Sequence, residues 1–360
     1  MKPHILADRL KTILTLFASN NSDSYWLDKS SQIIGECIKL CRIYNDGYVD
    51  FLELHKLITI EDYYLEKIKT LRNLFISGKL SEKEVYDLSS SLDFFQNEFY
   101  SLDSKVVSIL KSEVSRITNT FTSDLDIKNI FCPPSNCKNT LDISDIITKG
   151  KILILNINIA EYKNLSKMIA AYLKLDFQTE VMNRLTYELD ENMRPVAFIS
   201  DEYHEYVTST DADFFAQSRE AKCINIVATQ SYTSLLNTLK EQSVVKTIIQ
   251  NLINKLWFRT DDSFTIEEIQ KQIGKEDKEK ISTNISENAK KTNFSYFSNS
   301  LRSEDSSISE SINTYFQTDY ILDTKFFTQE LETFNCFSFI SNGNKILPPC
   351  KIELFPHFKN

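Results

Sequence analysis

The sequence predicts an α/β protein: a mostly parallel sheet flanked by helices, preceded by a helical subdomain. Three observations predict it. Up to about residue 130, apolar residues recur at helical steps with no competing two-residue alternation. A polar connector with a Pro-Pro pair, "CPPSNCKNTLDISDIITKG", then interrupts that pattern. Beyond it, short Ile- and Val-rich runs alternate with helical stretches, the arrangement that builds parallel sheets. The expected division is residues 1–135 for the helical subdomain and residues 146–360 for the α/β portion.

Taken in order, "SQIIGECIKLCRIY" and "VDFLELHKLI" carry helical stripes, and "LSEKEVYDLSSSLDFF" opens on Ser81 and Glu84, the S-x-x-E capping box. In "SKVVSILKSEVSRITNTF", Val107, Leu110, Val114, Ile117 and Phe121 form one stripe. These stripes are core packing and carry no chemistry. "KILILNINIA" resembles a strand buried on both faces. A long helix, "LSKMIAAYLKLDFQTEVMNRL", follows, then the strand "VAFIS", a helix around "DFFAQSREA" and the strand "CINIVATQ". "SVVKTIIQNLINK" predicts a helix, "LWFRT" a strand and "TIEEIQKQI" another helix. The basic stretch "KQIGKEDKEK" alternates with acids and is expected to be a solvated helix end. Residues 282–318, rich in Ser and Asn, are expected to be mobile or irregular. The close predicts a strand, an Asn342-Gly343 turn and a return strand kept short or on an edge by its prolines.

The 360 residues allow two domains and a large core, and a hydrophobic fraction of 42% is that of a soluble globular chain. A net charge of −9 argues against a surface that attracts nucleic acid as a whole. Seven scattered cysteines suit a reducing compartment; Cys37 and Cys41, one turn apart, suit buried thiols. Cys132 and Cys137 would need two further ligands to hold zinc. No apolar run approaches the length of a membrane helix. The expected location is the cytoplasm, reaching the inner face of the membrane only through partners.

The candidate site lies where strands end. In an open parallel sheet, ligands collect beyond the carboxyl ends of the strands. "VAFIS" ends on Asp201-Glu202, and "CINIVATQ" ends on Thr229-Gln230. An aspartate after an apolar strand is the pattern that holds a nucleotide-bound Mg2+. The adjacent glutamate can deprotonate or orient a water, and a glutamine on the next strand end can sense a γ-phosphate. Arg219, between the two strands, is either a surface arginine paired with a neighbour such as Glu220 or a cation offered to a phosphate on another subunit. His204 and Glu205 in "DEYHEY" do not form the H-E-x-x-H zinc motif.

From "GKILILNINIAEYKNLSKMIAAYLKLDFQTEV" through "ISDEYHEYV", "QSREAKCINIVATQS" and "LPPCKIELFPHF", the chain resembles the type IV coupling proteins, the TraD/TraG-class ATPases of conjugation and type IV secretion, in their TraM-recognition region. The resemblance covers about Lys151 to the end and, more loosely, the helices before it. It implies a RecA-like fold, a hexameric ring, and an ATP- and Mg2+-dependent motor that moves DNA or protein with a relaxase and secretion-channel proteins. It also implies Asp201 and Glu202 as the Walker B acids, Gln230 as the strand-end glutamine, and Arg219 as the arginine reaching a neighbouring nucleotide. The sequence departs from the family in one respect that matters. It holds no G-x-x-x-x-G-K-[ST]: Gly150-Lys151 and Gly274-Lys275 have Asp145 and Ile269 where the first glycine belongs. The phosphate cradle is therefore expected from elsewhere, a missing N-terminal half or a separate chain. The family's membrane anchor is not in the sequence either. A HerA/FtsK-type ring ATPase and a non-catalytic scaffold derived from such a motor are the alternatives.

Overall fold

The computed structural model describes residues 2–16, 24–137, 140–186, 193–287, 292–295, 300–303 and 308–356. The chain divides into two compact units: Met1–Gln230 with Ser234–Asn251, and Ser231–Thr233 with Leu252–Asn360.

The first unit begins with helices α1 (Pro3–Leu16), α2 (Ser24–Tyr44), α3 (Phe51–Thr59), α4 (Glu61–Ile76), α5 (Glu82–Asp93), α6 (Ser104–Thr122) and α7 (Leu125–Phe131). Their starts are written in the sequence. Asp50 accepts from the Glu53 N–H at the head of α3, and Ser81 and Glu84 form the expected capping box on α5. The α6 stripe buries Leu110, Val114, Ile117 and Phe121, with Phe121 stacked on Phe51 at 4.2 Å between ring centroids. Cys37 and Cys41 lie inside the same core, and burial pushes the Cys41 thiol up to about 12.

After α8 (Ile143–Lys149) the chain differs from the sequence expectation. Residues 151–158 run without regular structure and without a ladder partner, and Ile152 and Ile154 are 89% and 81% exposed. The strand inferred from "KILILNINIA" is thus not formed, because no strand among the described residues accepts its hydrogen bonds, and its last two residues open a short helix instead. A short turn, α9 (Ile159–Tyr162), leads into α10 (Asn164–Asn183). Met168, Ile169, Ala171 and Leu175 of α10 join the core of the preceding helices. Arg9 of α1, itself buried, reaches across to Asp176 of α10 at 2.8 Å.

Strand β1 (Val196–Ser200), helix α11 (Asp211–Gln217), strand β2 (Cys223–Val227) and helices α12 (Tyr232–Leu239) and α13 (Gln242–Asn251) follow. β1 and β2 pair in parallel, with Val196 opposite Cys223 and Ser200 opposite Val227. Phe198 stacks on Phe177 of α10, so that helix covers one face of the pair. Ile199, Ile224 and Ile226 stand on the other face, 72%, 53% and 53% exposed.

In the second unit, β3 (Lys255–Trp257) leads to α14 (Ser263–Ile273), whose cap Asp262 accepts from the Thr265 N–H. Two long strands, β4 (Lys275–Glu287) and β7 (Ile308–Tyr320), form an antiparallel ribbon, and β5 (Thr292–Ser295) pairs with β6 (Ser300–Ser303) between them. The ribbon corrects two expectations. The described parts of 282–318 are strand rather than irregular, and "GKEDKEK" leaves its helix at Gly274 and continues as strand. The Ser and Asn content masked a two-residue alternation, with Ile281 and Ile285 on one strand and Ile312 and Phe316 on the other. β3 also pairs with β8 (Asn335–Phe339), which pairs with β9 (Cys350–Glu353), both antiparallel. Asn342 accepts the N–H groups of Asn344 and Lys345 in the turn, and β9 is a four-residue edge strand after its prolines, as expected. Trp257, Phe327, Phe337 and Ile269 make the core of this unit. No described helix is long and apolar enough to cross a membrane.

Candidate functional site

The neighbours inferred from sequence are neighbours in space. Beyond the last ladder pair, the Ala228 N–H donates to the Ser200 carbonyl at 2.8 Å and the Tyr203 N–H donates to the Ala228 carbonyl at 2.9 Å. These bonds hold the segments after β1 and β2 together for one further step. Asp201-Glu202 and Thr229-Gln230 therefore emerge side by side at the carboxyl ends of parallel strands.

Glu202 sits in the left-handed region, with φ +46°, which few non-glycine residues adopt. Its N–H donates to Asp201 Oδ1 at 2.9 Å. The Gln230 amide donates to both carboxylate oxygens of Glu202, at 3.3 and 3.2 Å. His204 Nδ1 lies 3.5 Å from Glu202 Oε2 and 3.3 Å from Thr229 Oγ1. The backbone of Glu202 is thus bent and its carboxylate is fixed from the β2 side. Asp201 is exposed beside it.

A buried network beneath these residues holds the loop that carries them. Lys174 of α10 and Asp211 at the head of α11 are 1% and 0% exposed and lie 2.6 Å apart. Asp211 also accepts from Gln178 at 2.9 Å, the Thr208 hydroxyl at 2.9 Å, the Thr208 N–H at 3.1 Å and the Tyr203 hydroxyl. Lys174 donates in addition to the Tyr206 carbonyl at 2.8 Å. Burial opposes the charged form of Asp211, but the Lys174 ammonium and these hydrogen bonds outweigh it and hold the carboxyl below its usual range. The charged pair is accordingly satisfied on every side, the condition under which a buried ion pair persists. Tyr203, fully buried, follows Glu202 directly, so the network fixes the backbone on which the acids sit.

Arg219 is placed apart. It lies in the turn between α11 and β2, where its carbonyl accepts from Lys222, at the amino end of β2. The five residues of β2 put it roughly 15 Å along the strand direction from the Gln230 end. Its side chain is exposed, and no hydrogen bond or ion pair, including one to Glu220, holds it among the described residues. The structure thus joins Asp201, Glu202 and Gln230 within one chain and does not bring Arg219 to them.

Sequence reasoning missed Lys174, Gln178, Tyr203 and Asp211. The usable signal was an i, i+4 pair of polar residues, Lys174 and Gln178, amid the buried positions Ala171, Leu175 and Val181 of α10. Among the described residues, no group of three or more His, Cys, Asp or Glu side chains is placed to hold a metal by itself.

Residues 195–312 match the family described as the TraM recognition site of TraD and TraG. No curated protein sequence matches the chain. Among solved structures, the bacterial conjugative coupling protein TrwB in an unbound form aligns with a TM-score of 0.56 at 12% identity, over 97% of this chain and 68% of that one. TrwB with the non-hydrolysable ATP analogue ADPNP aligns at 0.57 and 14% identity, and TrwB with ADP and Mg2+ at 0.57 and 12%, each over the same shares. The fold is therefore of the RecA-like α/β class. The chain is thus similar to the conjugative coupling proteins, by sequence over residues 195–312 and by fold over most of its length.

Proposed function

We propose that the strand-end acids form one wall of a Mg-nucleotide site in an ATP-driven coupling motor that brings DNA or protein substrates to a conjugation or type IV secretion channel. The observation that carries this reading is the Gln230 amide bonded to both oxygens of Glu202, beside Asp201, at the carboxyl ends of neighbouring parallel strands. A single exposed carboxylate with no further protein ligands suits Mg2+, which keeps waters and takes most other ligands from phosphates. Asp201 would hold that ion, whose chemistry is to neutralise phosphate charge. Glu202, in hydrogen-bonding reach of solvent, orients or deprotonates the attacking water. Gln230 fixes the direction of the Glu202 carboxylate and reports on what occupies the site. Arg219, free and at the far edge, serves a neighbouring subunit's nucleotide in a homo-oligomeric ring, and the working partners are DNA, a relaxase and channel proteins at the inner face of the membrane.

The phosphate cradle would come from further polypeptide. The bare Ile199, Ile224 and Ile226 face and the unpaired 151–158 segment support this, because parallel sheets are covered on both faces and their inner strands are paired. The same absence favours a second reading, a non-catalytic scaffold retaining the acids. ATP turnover by the purified 360-residue chain tests the reading: none above background is expected, with weak nucleotide affinity. Robust Mg2+-dependent hydrolysis that Glu202→Gln abolishes would overturn the need for a separate cradle. In a completed assembly, Glu202→Gln is expected to lower kcat by about 10²- to 10⁴-fold, and a Glu202→Gln subunit is expected to rescue Arg219→Ala. Unchanged turnover in that assembly would leave the scaffold reading.

A further inference from the structure

The β4–β7 ribbon has two unlike faces. Cross-strand partners in an antiparallel pair share a face, so the register places Glu279 with Phe316, Ile281 with Thr314, Thr283 with Ile312, and Ile285 with Glu310 on one side. On that side Phe316, Ile281, Ile312 and Ile285 are diagonal neighbours in sequence along the ribbon, and they are 73%, 68%, 64% and 68% exposed. The other side is polar and of mixed charge, with Glu276, Asp319, Lys278 and Lys280 toward the base and Ser282, Asn313, Asn284 and Ser311 beyond Tyr315. A two-stranded ribbon gains little stability of its own in water, and four contiguous exposed apolar side chains on one face mark a contact surface.

The charge around the stripe selects its occupant. Asp277, Glu279 and Glu310 lie on the apolar face against a single cation, Lys275, which sits at the base over the Tyr320 ring. Lys280 is on the opposite face, 3.5 Å from Asp319. A second copy of this face would set acid against acid, and a nucleic-acid backbone or an anionic membrane would be repelled. The stripe runs about 20 Å, from the level of Glu279 to that of Ile285, and the ribbon is about 10 Å wide. An α-helix of about 14 residues has that length and diameter.

We propose that this face docks a basic amphipathic helix of a partner protein, its apolar stripe seated on Ile281, Ile285, Ile312 and Phe316 and its rim of Lys or Arg side chains against Glu279, Glu310 and Asp277. The surface uses none of the strand-end residues, so the inference stands or falls independently of the nucleotide reading.

The test is fluorescence-anisotropy titration of the full chain with two labelled 14-residue helix-forming peptides. Both carry the same leucine stripe, rimmed by lysine in one and by glutamate in the other. The lysine peptide is expected to bind at least tenfold more tightly. Ile281→Thr with Phe316→Thr should weaken it at least tenfold, and Glu279→Lys with Glu310→Lys should invert the preference between the peptides. All four positions are exposed and threonine and lysine suit an exposed ribbon, so circular dichroism and melting of the variants should match the parent. Equal binding of both peptides, or binding of the lysine peptide unchanged in both double variants, would overturn the proposal. So would a concentration-dependent dimer in sedimentation that Ile281→Thr with Phe316→Thr abolishes, since it would give the face to a second copy.

Discussion

The helical part of the first unit and the β1–β2 pair both carry apolar faces but are closed to different degrees. Around α2, α3 and α6, side chains such as Leu110, Val114, Ile117 and Phe121 are wholly buried, and each helix finds a neighbour for its stripe. The β1–β2 pair has a helix on one face and three isoleucines open to solvent on the other. Apolar residues in a strand ask for burial as strongly as those in a helix. A helix satisfies its backbone internally, however, while a strand needs neighbours for its hydrogen bonds as well as cover for its faces. The difference teaches where the unit closes its own apolar surface and where that surface stays open.

The largest effect is expected on the closed side. Phe121→Ala removes a side chain that is fully buried and stacked on Phe51, and should cost about 3–5 kcal/mol in chemical denaturation. A cost below about 1 kcal/mol would mean that the helical core is looser than its packing indicates.

Asp211→Asn comes next, at the junction between the two regions. It leaves the Lys174 ammonium buried without its counter-charge and should cost about 3 kcal/mol. The pH dependence has a definite sign. Because the folded carboxyl titrates below its ordinary value, the pair's contribution is complete above about pH 4 and is lost as pH falls through the lower folded value. Stability of the parent chain should therefore fall more steeply on acidification than that of Asp211→Asn, in denaturation midpoints measured from pH 6 downward. Parallel curves would show that Asp211 is not the charged partner.

Much of this arrangement was legible before the structure. The capping box at Ser81 and Glu84, the α6 stripe and the adjacency of "VAFIS" and "CINIVATQ" follow from local periodicity and from the rule that strands alternating with helices lie parallel. The Glu202–Gln230 contact follows in turn, because both residues stand just past paired strand ends. Lys174 and Asp211 were not legible. They lie 37 residues apart, and nothing local in either segment shows that the other will neutralise it. The β4–β7 ribbon was hidden for another reason. Its alternation serves an exposed face, so serine, threonine and asparagine occupy many of the positions where a core strand would show Val or Leu. The "KILILN" segment shows the converse: its composition is that of a buried strand, and only pairing, which no single segment encodes, decides whether one forms.

The smallest expected effect is also the one that most sharpens the comparison. Ile199→Thr with Ile226→Thr replaces two β-branched side chains by another on the open face, opposite each other in the parallel register. Strand propensity is kept, and little apolar area already removed from water is lost. The stability of the isolated chain should change by no more than about 0.5 kcal/mol. Solubility should rise, because two isoleucines no longer offer a sticky surface. A loss above about 2 kcal/mol would mean that the face is already covered in solution, by this chain or by a second copy. A melting temperature that rises with protein concentration in the parent chain and not in the variant would identify the second copy as the cover. With neither effect, the face is open in the isolated chain, as a site that receives further polypeptide must be.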